Sequence, residues 1–137
     1  MGDVFLNTSI EHKQIIITGF SSDLAMASFQ HYADKNIIYG TYNNKKIDIE
    51  NENIKLCKLD LASEKEIKEY IESIKKDLQN IILVNFAAYK SDGLLANYTV
   101  DEWDKTFNVN IKSNFLLTKN LLPIMMANKW GRIIHIS

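Results

Sequence analysis

At 137 residues, with 46% hydrophobic and 24% charged side chains, the chain has the make-up of one globular domain, neither disordered nor membrane-spanning. A formal net charge of −1 supplies no global field for nucleic acid or acidic lipid, so neither partner is expected. The single cysteine, Cys57, excludes an internal disulfide, and with it no metal-ligand cluster is expected.

Met1 to Glu11 has neither a basic start nor an apolar core, so no secretory signal is expected and a reducing cytoplasm is the expected setting. Residues 1–13 read as an N-terminal extension ahead of a domain over 14–137. Gln14 to Thr18 is a buried-strand run, closed by Gly19 and followed by the helix-capping types Ser21, Ser22 and Asp23. A helix is expected from there to about His31, then a second strand over Asn36 to Thr41. Asn43, Asn44, Lys45 and Lys46 break that strand as a polar turn.

A third strand is expected over Ile54 to Leu59, with Cys57 alternating between Leu56 and Lys58 as a buried, inert thiol. Ser63 and Glu66 have capping-box spacing, and Ile67, Tyr70, Ile71, Ile74 and Leu78 then fall on one helical face. Asn80 to Asn85 is a fourth strand whose unbroken apolar centre implies cover on both faces, as in a parallel sheet. Thr99 and Glu102 repeat the capping box and open a long helical region through Asn128, in which Pro123 is expected to cause a kink. Trp130 and Gly131 turn the chain into a fifth strand, Arg132 to Ile136. Strand–helix alternation of this kind makes right-handed crossovers, so the expected fold is an α/β, doubly wound parallel sheet in the order 3-2-1-4-5.

In such a sheet, ligands bind beyond the carboxyl ends of the strands. Gly19 with Ser21, Ser22 and Asp23 follows the first strand, at a helix start that suits a phosphate. Asp60 and Leu61 follow the third, and Asn85, Phe86, Ala87 and Ala88 the fourth, where small side chains let a ligand lie against the backbone. Each has a structural alternative. The glycine turn is common in α/β proteins, Asp60 can cap the turn before Ser63, and Asn85 can satisfy backbone groups between strands.

Taken in order, these pieces resemble the short-chain dehydrogenase/reductase family. Thr18 to Ala25 resembles its Thr-Gly-x-x-x-Gly-x-Gly turn, and Asp60-Leu61 its Asp-Leu or Asp-Val pair after the third strand. Asn85 to Ala88 resembles its Asn-x-Ala-Gly, and Asn108-Val109-Asn110 its helix carrying a catalytic asparagine. The resemblance implies a Rossmann-like domain binding NAD or NADP. Gly19, Ser21, Ser22 and Asp23 would lie by the phosphates, Asp60 would take the adenine amino group, Asn85 would brace the central strands, and Asn110 would hold a water in a proton relay. It also implies a small carbonyl or alcohol substrate and a homo-oligomer.

The chain departs from that pattern at Asp23, Ala25 and Ala88, where the family has glycine, and Asp23 would repel a phosphate. No acid follows the second strand until Asp48, which gives NADP a slight preference over NAD. Ser137 aligns one position before the family's catalytic serine, so the domain is expected to be truncated after its fifth strand. The helical Tyr-x-x-x-Lys pair is expected to be missing: neither Tyr42 with Lys45 and Lys46 nor Tyr89 with Lys90 is expected to place both side chains on one helical turn. The expected activity is hydride transfer between a nicotinamide cofactor and a carbonyl or alcohol, catalytically incomplete in these residues. A non-catalytic binding or assembly module and a nucleotide-sugar epimerase relative are the alternatives. The exposed fifth-strand edge and the apolar Thr99 to Asn128 region predict marginal stability and association.

Overall fold

The computed structural model describes residues 9–137. Residues 1–8, most of the expected N-terminal extension and of the segment read for a signal, lie outside the described residues. Five parallel strands form one sheet: β1 (Gln14–Thr18), β2 (Ile37–Tyr42), β3 (Ile54–Lys58), β4 (Ile81–Asn85) and β5 (Arg132–His135). Their order is β3-β2-β1-β4-β5, as expected, with β1 in register against both β2 and β4.

The strand pattern places side chains alternately on two faces. Ile16, Tyr39, Ile81 and Leu83 point to one face, where they pack with α2 (Glu64–Ile74) and α4 (Ser113–Ala127) through Ile67, Tyr70, Ile71, Leu117 and Leu121. Ile15, Ile17, Ile38, Ile82 and Val84 point to the other, with Phe20 and with Ala25 of α1 (Asp23–Phe29). An eleven-residue helix such as α2 is marginal by itself in water. Burial of Ile67 and Ile71, at roughly 1.5–3 kcal/mol each, decides for the helix despite its Lys- and Glu-rich outer face.

Between β2 and β3, where a polar turn was expected, there is no helix: residues 43–53 run as an open strap whose Ile47 and Ile49 pack against the α1-side core. Asn43 and Asn44 favour a turn, and Ile47, Asp48, Ile49 and Glu50 alternate apolar and polar with the period of extended chain. Asn51 then turns the strap into β3, its Oδ1 accepting the Asn53 N–H at 2.9 Å.

The two capping-box spacings also part company. At the start of α3 (Val100–Phe107) the box is complete, with Thr99 Oγ1 accepting from Glu102 N–H and Glu102 accepting from Thr99 N–H. At α2, Ser63 Oγ accepts from Glu66 N–H, but the Glu66 carboxylate takes the N–H of Asp60. Between α3 and α4 the helix widens into a π-turn at Asn108–Lys112. There Ser113 Oγ donates to Val109 C=O at 2.5 Å and Asn114 Nδ2 to Asn110 C=O at 2.9 Å. The interruption falls at this turn, while α4 continues through Pro123. Among the described residues, no helix is long and apolar enough to cross a membrane.

Candidate functional site

The carboxyl ends of β1 to β4 open on a cleft of about 540 Å³. Thr18 organises its floor. Buried at the end of β1, its Oγ1 accepts the N–H groups of Phe86 and Ala87 at 3.1 and 3.2 Å, so the chain leaving β4 is fixed against the chain leaving β1. Gly19 follows with φ +68°, a conformation that side chains disfavour, and a Cβ there would stand 2.8 Å from Ala87 Cα. The turn therefore requires glycine for two independent reasons. Phe20 then turns inward against Gly40, while its N–H donates to Thr41 C=O at 2.8 Å.

Ser22 is the N-cap of α1, its Oγ accepting the Ala25 N–H at 3.1 Å. Asp23 opens the helix with its carboxylate in solvent, and Lys45 of the strap reaches across to place Nζ 3.2 Å from Oδ1. On the third side, Asp60 Oδ1 accepts the Ala62 N–H at 2.9 Å, so this carboxylate does cap its turn while it lines the cleft. Leu61 beside it is buried under α2.

Gly19, Ser21, Ser22, Asp23, Asp60, Leu61 and Ala87 thus come from three strand ends to line one cleft. Asn85 and Asn110 do not line it. Asn85 is buried, and its amide Nδ2 donates to His135 Nδ1 at 3.0 Å, tying β4 to β5. Its Oδ1 has no hydrogen-bond partner among the described residues. Asn110 commits both ends of its amide to the backbone of Tyr89, accepting the N–H at 2.8 Å and donating to the C=O at 2.9 Å. It anchors the cleft wall from behind, and Lys105 covers that wall with its ammonium 4.4 Å from the Tyr89 ring.

The Tyr-x-x-x-Lys spacing does occur once, at Tyr42 and Lys46. Tyr42 ends β2 and Lys46 lies in the extended strap, so the two do not share a helical turn. Cys57 is half-buried, and burial pushes its thiol up, away from a reactive thiolate. Burial also raises the Tyr70 phenol, which lies inside the α2-side core. Among the described residues no group of three or more His, Cys, Asp or Glu side chains is arranged to hold a metal ion.

Two contacts at the cleft were not legible in the sequence. Thr18 stands at the head of the glycine-turn motif, but its partners lie 68 and 69 residues away. Lys45 reads as part of a polar turn, and only the strap's path brings it to Asp23.

The sequence pattern described as short chain dehydrogenase matches residues 13–137. The 3-oxoacyl-(acyl-carrier-protein) reductase of Aquifex aeolicus is 33% identical over 124 residues, covering 90% of this chain and 44% of its own length. That of Rickettsia felis is 31% identical, covering 91% and 53%. The chain therefore spans about half the length of these curated relatives. Among solved structures, ElxO with NADP bound superposes with a TM-score of 0.78 at 26% identity, over 92% of this chain and 55% of ElxO. A short chain dehydrogenase from Leptospira borgpetersenii with bound NAD+ gives 0.80 at 20% identity, over 92% and 51%, a likeness of fold. With the match running from the residue before β1 through the last residue of the chain, this protein belongs to the short chain dehydrogenase family.

Proposed function

We propose that residues 14–137 are the dinucleotide-binding part of an NAD(P)(H)-dependent oxidoreductase acting on a small carbonyl or alcohol. The observation that carries this is the closure of Gly19 on Ala87: two strand ends meet with no room for a side chain, leaving bare backbone at the cleft floor. A dinucleotide fits that surface. Gly19, Ser21 and Ser22 would flank its phosphates, Asp60 would use its second carboxylate oxygen for the adenine amino group, and Ala87 would let the molecule lie on the backbone. The bound cofactor supplies the hydride chemistry. Asn110 acts as a positioning residue, since its side chain is spent on Tyr89 and its carbonyl accepts from Asn114.

Within the family, acidic residues after the second strand select NAD. Here the strap offers no acid before Asp48, which supports a slight preference for NADP. The only Tyr-x-x-x-Lys in residues 1–137 lies on extended chain, so we take these residues as catalytically incomplete alone. Calorimetric titration of the purified chain is expected to show NADP binding, with NAD weaker, and no carbonyl-dependent oxidation of NADPH above a denatured control. Failure to bind either dinucleotide would overturn the reading, and turnover would overturn the incompleteness.

A second reading, a non-catalytic binding or assembly module, draws on one observation. Phe107, Ile111, Phe115 and Met126 of the α3–α4 region are exposed together with β5. The same surface supports a homo-oligomer, which light scattering would detect as a mass above 15.8 kDa. The reductase and oxidoreductase names of the relatives support the oxidoreductase branch over an epimerase. The setting proposed is a reducing cytoplasm, in keeping with the lone Cys57.

A further inference from the structure

We propose that Lys45 is a charge-compensating residue for dinucleotide binding: it cancels Asp23, the carboxylate that stands at the mouth of the cleft, and so lets an anionic phosphate approach. The proposal rests on the dinucleotide-binding reading above. Four charged side chains line the cleft, Asp23 and Asp60 against Lys45 and Lys105. Asp60 has an oxygen engaged by the Ala62 N–H, and Lys105 is seated over the Tyr89 ring. Among the described residues Asp23 and Lys45 pair only with each other, at 3.2 Å, and their side chains are 90% and 64% exposed.

An ion pair this open to water contributes almost nothing to fold stability. Its consequence is instead local and electrostatic. With Lys45 in place the four lining charges sum to zero, and without it the cleft is left net negative in front of a ligand that brings at least two negative charges. The strap that carries Lys45 is held through Ile47 and Ile49, and its path sets the ammonium beside the Asp23 carboxylate. A repulsion of the size of two unit charges a few ångströms apart in water corresponds to a change in affinity of about fivefold, and somewhat more once the ligand displaces water.

The test is titration calorimetry of the full chain with NAD+ and, separately, NADP+, on the unaltered protein, Lys45→Met, Lys45→Gln, Asp23→Asn and the Asp23→Asn/Lys45→Met double variant. Both lysine variants are expected to weaken binding about fivefold to tenfold, and Asp23→Asn to strengthen it by a similar factor. The double variant is expected to return to within about twofold of the starting affinity. Thermal unfolding of all variants is expected to be unchanged, which separates charge from folding. Lysine variants within about twofold of the unaltered chain would overturn the proposal. So would a double variant as weak as Lys45→Met, since Lys45 would then grip the ligand itself. If the unaltered chain binds neither dinucleotide, the dinucleotide reading falls and takes this proposal with it. If it binds and the variants do not shift, only this proposal falls.

Discussion

β4 and β5 lie side by side, paired in register from Ile82 with Arg132 to Asn85 with His135, and both are built around isoleucine. Yet every residue of β4 is buried and every residue of β5 is exposed. The difference is in what covers them. β4 has β1 and β5 as hydrogen-bonded neighbours and both cores against its faces. β5 has one strand neighbour and a largely open surface, on the same side of the molecule as exposed Phe115, Leu122 and Met126. The cleft sits away from β5, at the ends of β1 to β4. Apolar sequence therefore marks a strand, but neighbours decide whether it is buried, and the glycine turn and Ala87 of the candidate site follow the two strands with neighbours on both sides, β1 and β4.

The sharpest way to break this comparison uses a register pair. Leu83 is 0% exposed and faces Ile133, which is 37% exposed. Leu83→Ala is expected to cost about 2–5 kcal/mol, the range for emptying a packed core position. Ile133→Ala is expected to cost about 0.5 kcal/mol or a little more, as at a surface position. Urea denaturation of dilute protein measures both. Equal costs would mean that β5 is covered in solution, and a cost for Ile133→Ala that rises with protein concentration would assign the cover to association.

Next in size comes the cleft floor. Gly19→Ala places a side chain at φ +68° and drives Cβ to 2.8 Å from Ala87 Cα. Such a backbone conformation costs a non-glycine residue about 1–3 kcal/mol, and the clash also pushes the two strand ends apart. Loss of stability together with loss of dinucleotide binding is expected. A Gly19→Ala chain that binds NADP as tightly as the parent would remove this turn from the site.

The sequence made the covered half legible and the contacts within it less so. Unbroken apolar runs at Ile15 to Ile17 and Ile81 to Val84 announce central strands, and the sheet order follows from their alternation with helices. The turn at Asn43 and Asn44 was legible too, while the strap that runs on to residue 53 was not, although the alternating Ile47 and Ile49 carry the signal of extended chain. The glycine turn, Asp60-Leu61 and Ala87 were visible because each follows a strand. Asn85 and Asn110 were visible as residues, but their partners His135 and Tyr89 lie 50 and 21 residues away. No local pattern encodes such a contact. At Glu66 the spacing from Ser63 predicts a capping box, but the Ser63 N–H already donates to the Asp60 C=O, and the carboxylate takes the Asp60 N–H instead.

A smaller effect is expected at Thr18, where the covered strand meets the open cleft. Thr18→Val keeps the shape but withdraws the oxygen that accepts the Phe86 and Ala87 N–H groups. Both donors belong to half-buried residues beside the cleft, where water can replace the lost acceptor. The cost is therefore expected near the low end for an unmade hydrogen bond, about 1 kcal/mol. Its signature is faster amide exchange at Phe86 and Ala87 with β1 otherwise protected. Unchanged exchange at those two amides would mean that Thr18 does not hold the post-β4 segment.

The smallest expected effect lies on the open half, at the start of α3. The Thr99 N–H and hydroxyl, and then the Ser91 hydroxyl, all donate to the Glu102 carboxylate, and they hold its pKa below the ordinary value of 4.5. Hydrogen bonds to the charged form favour that form. Because the folded pKa is depressed, the contribution to stability is present above the unfolded pKa and is lost as pH falls through the folded one. Acid should therefore loosen the first turn of α3 only below the usual carboxylate range. Glu102 is fully exposed, so the readout is the titration itself rather than a melting temperature. Carboxyl NMR shifts followed down in pH are expected to give Glu102 a midpoint under that of a free glutamate. Thr99→Ala keeps the backbone N–H but removes the hydroxyl, and should move the midpoint part of the way back. A midpoint that does not respond to Thr99→Ala would show that the backbone N–H and the Ser91 hydroxyl set it, and that the Thr99 hydroxyl serves only the cap.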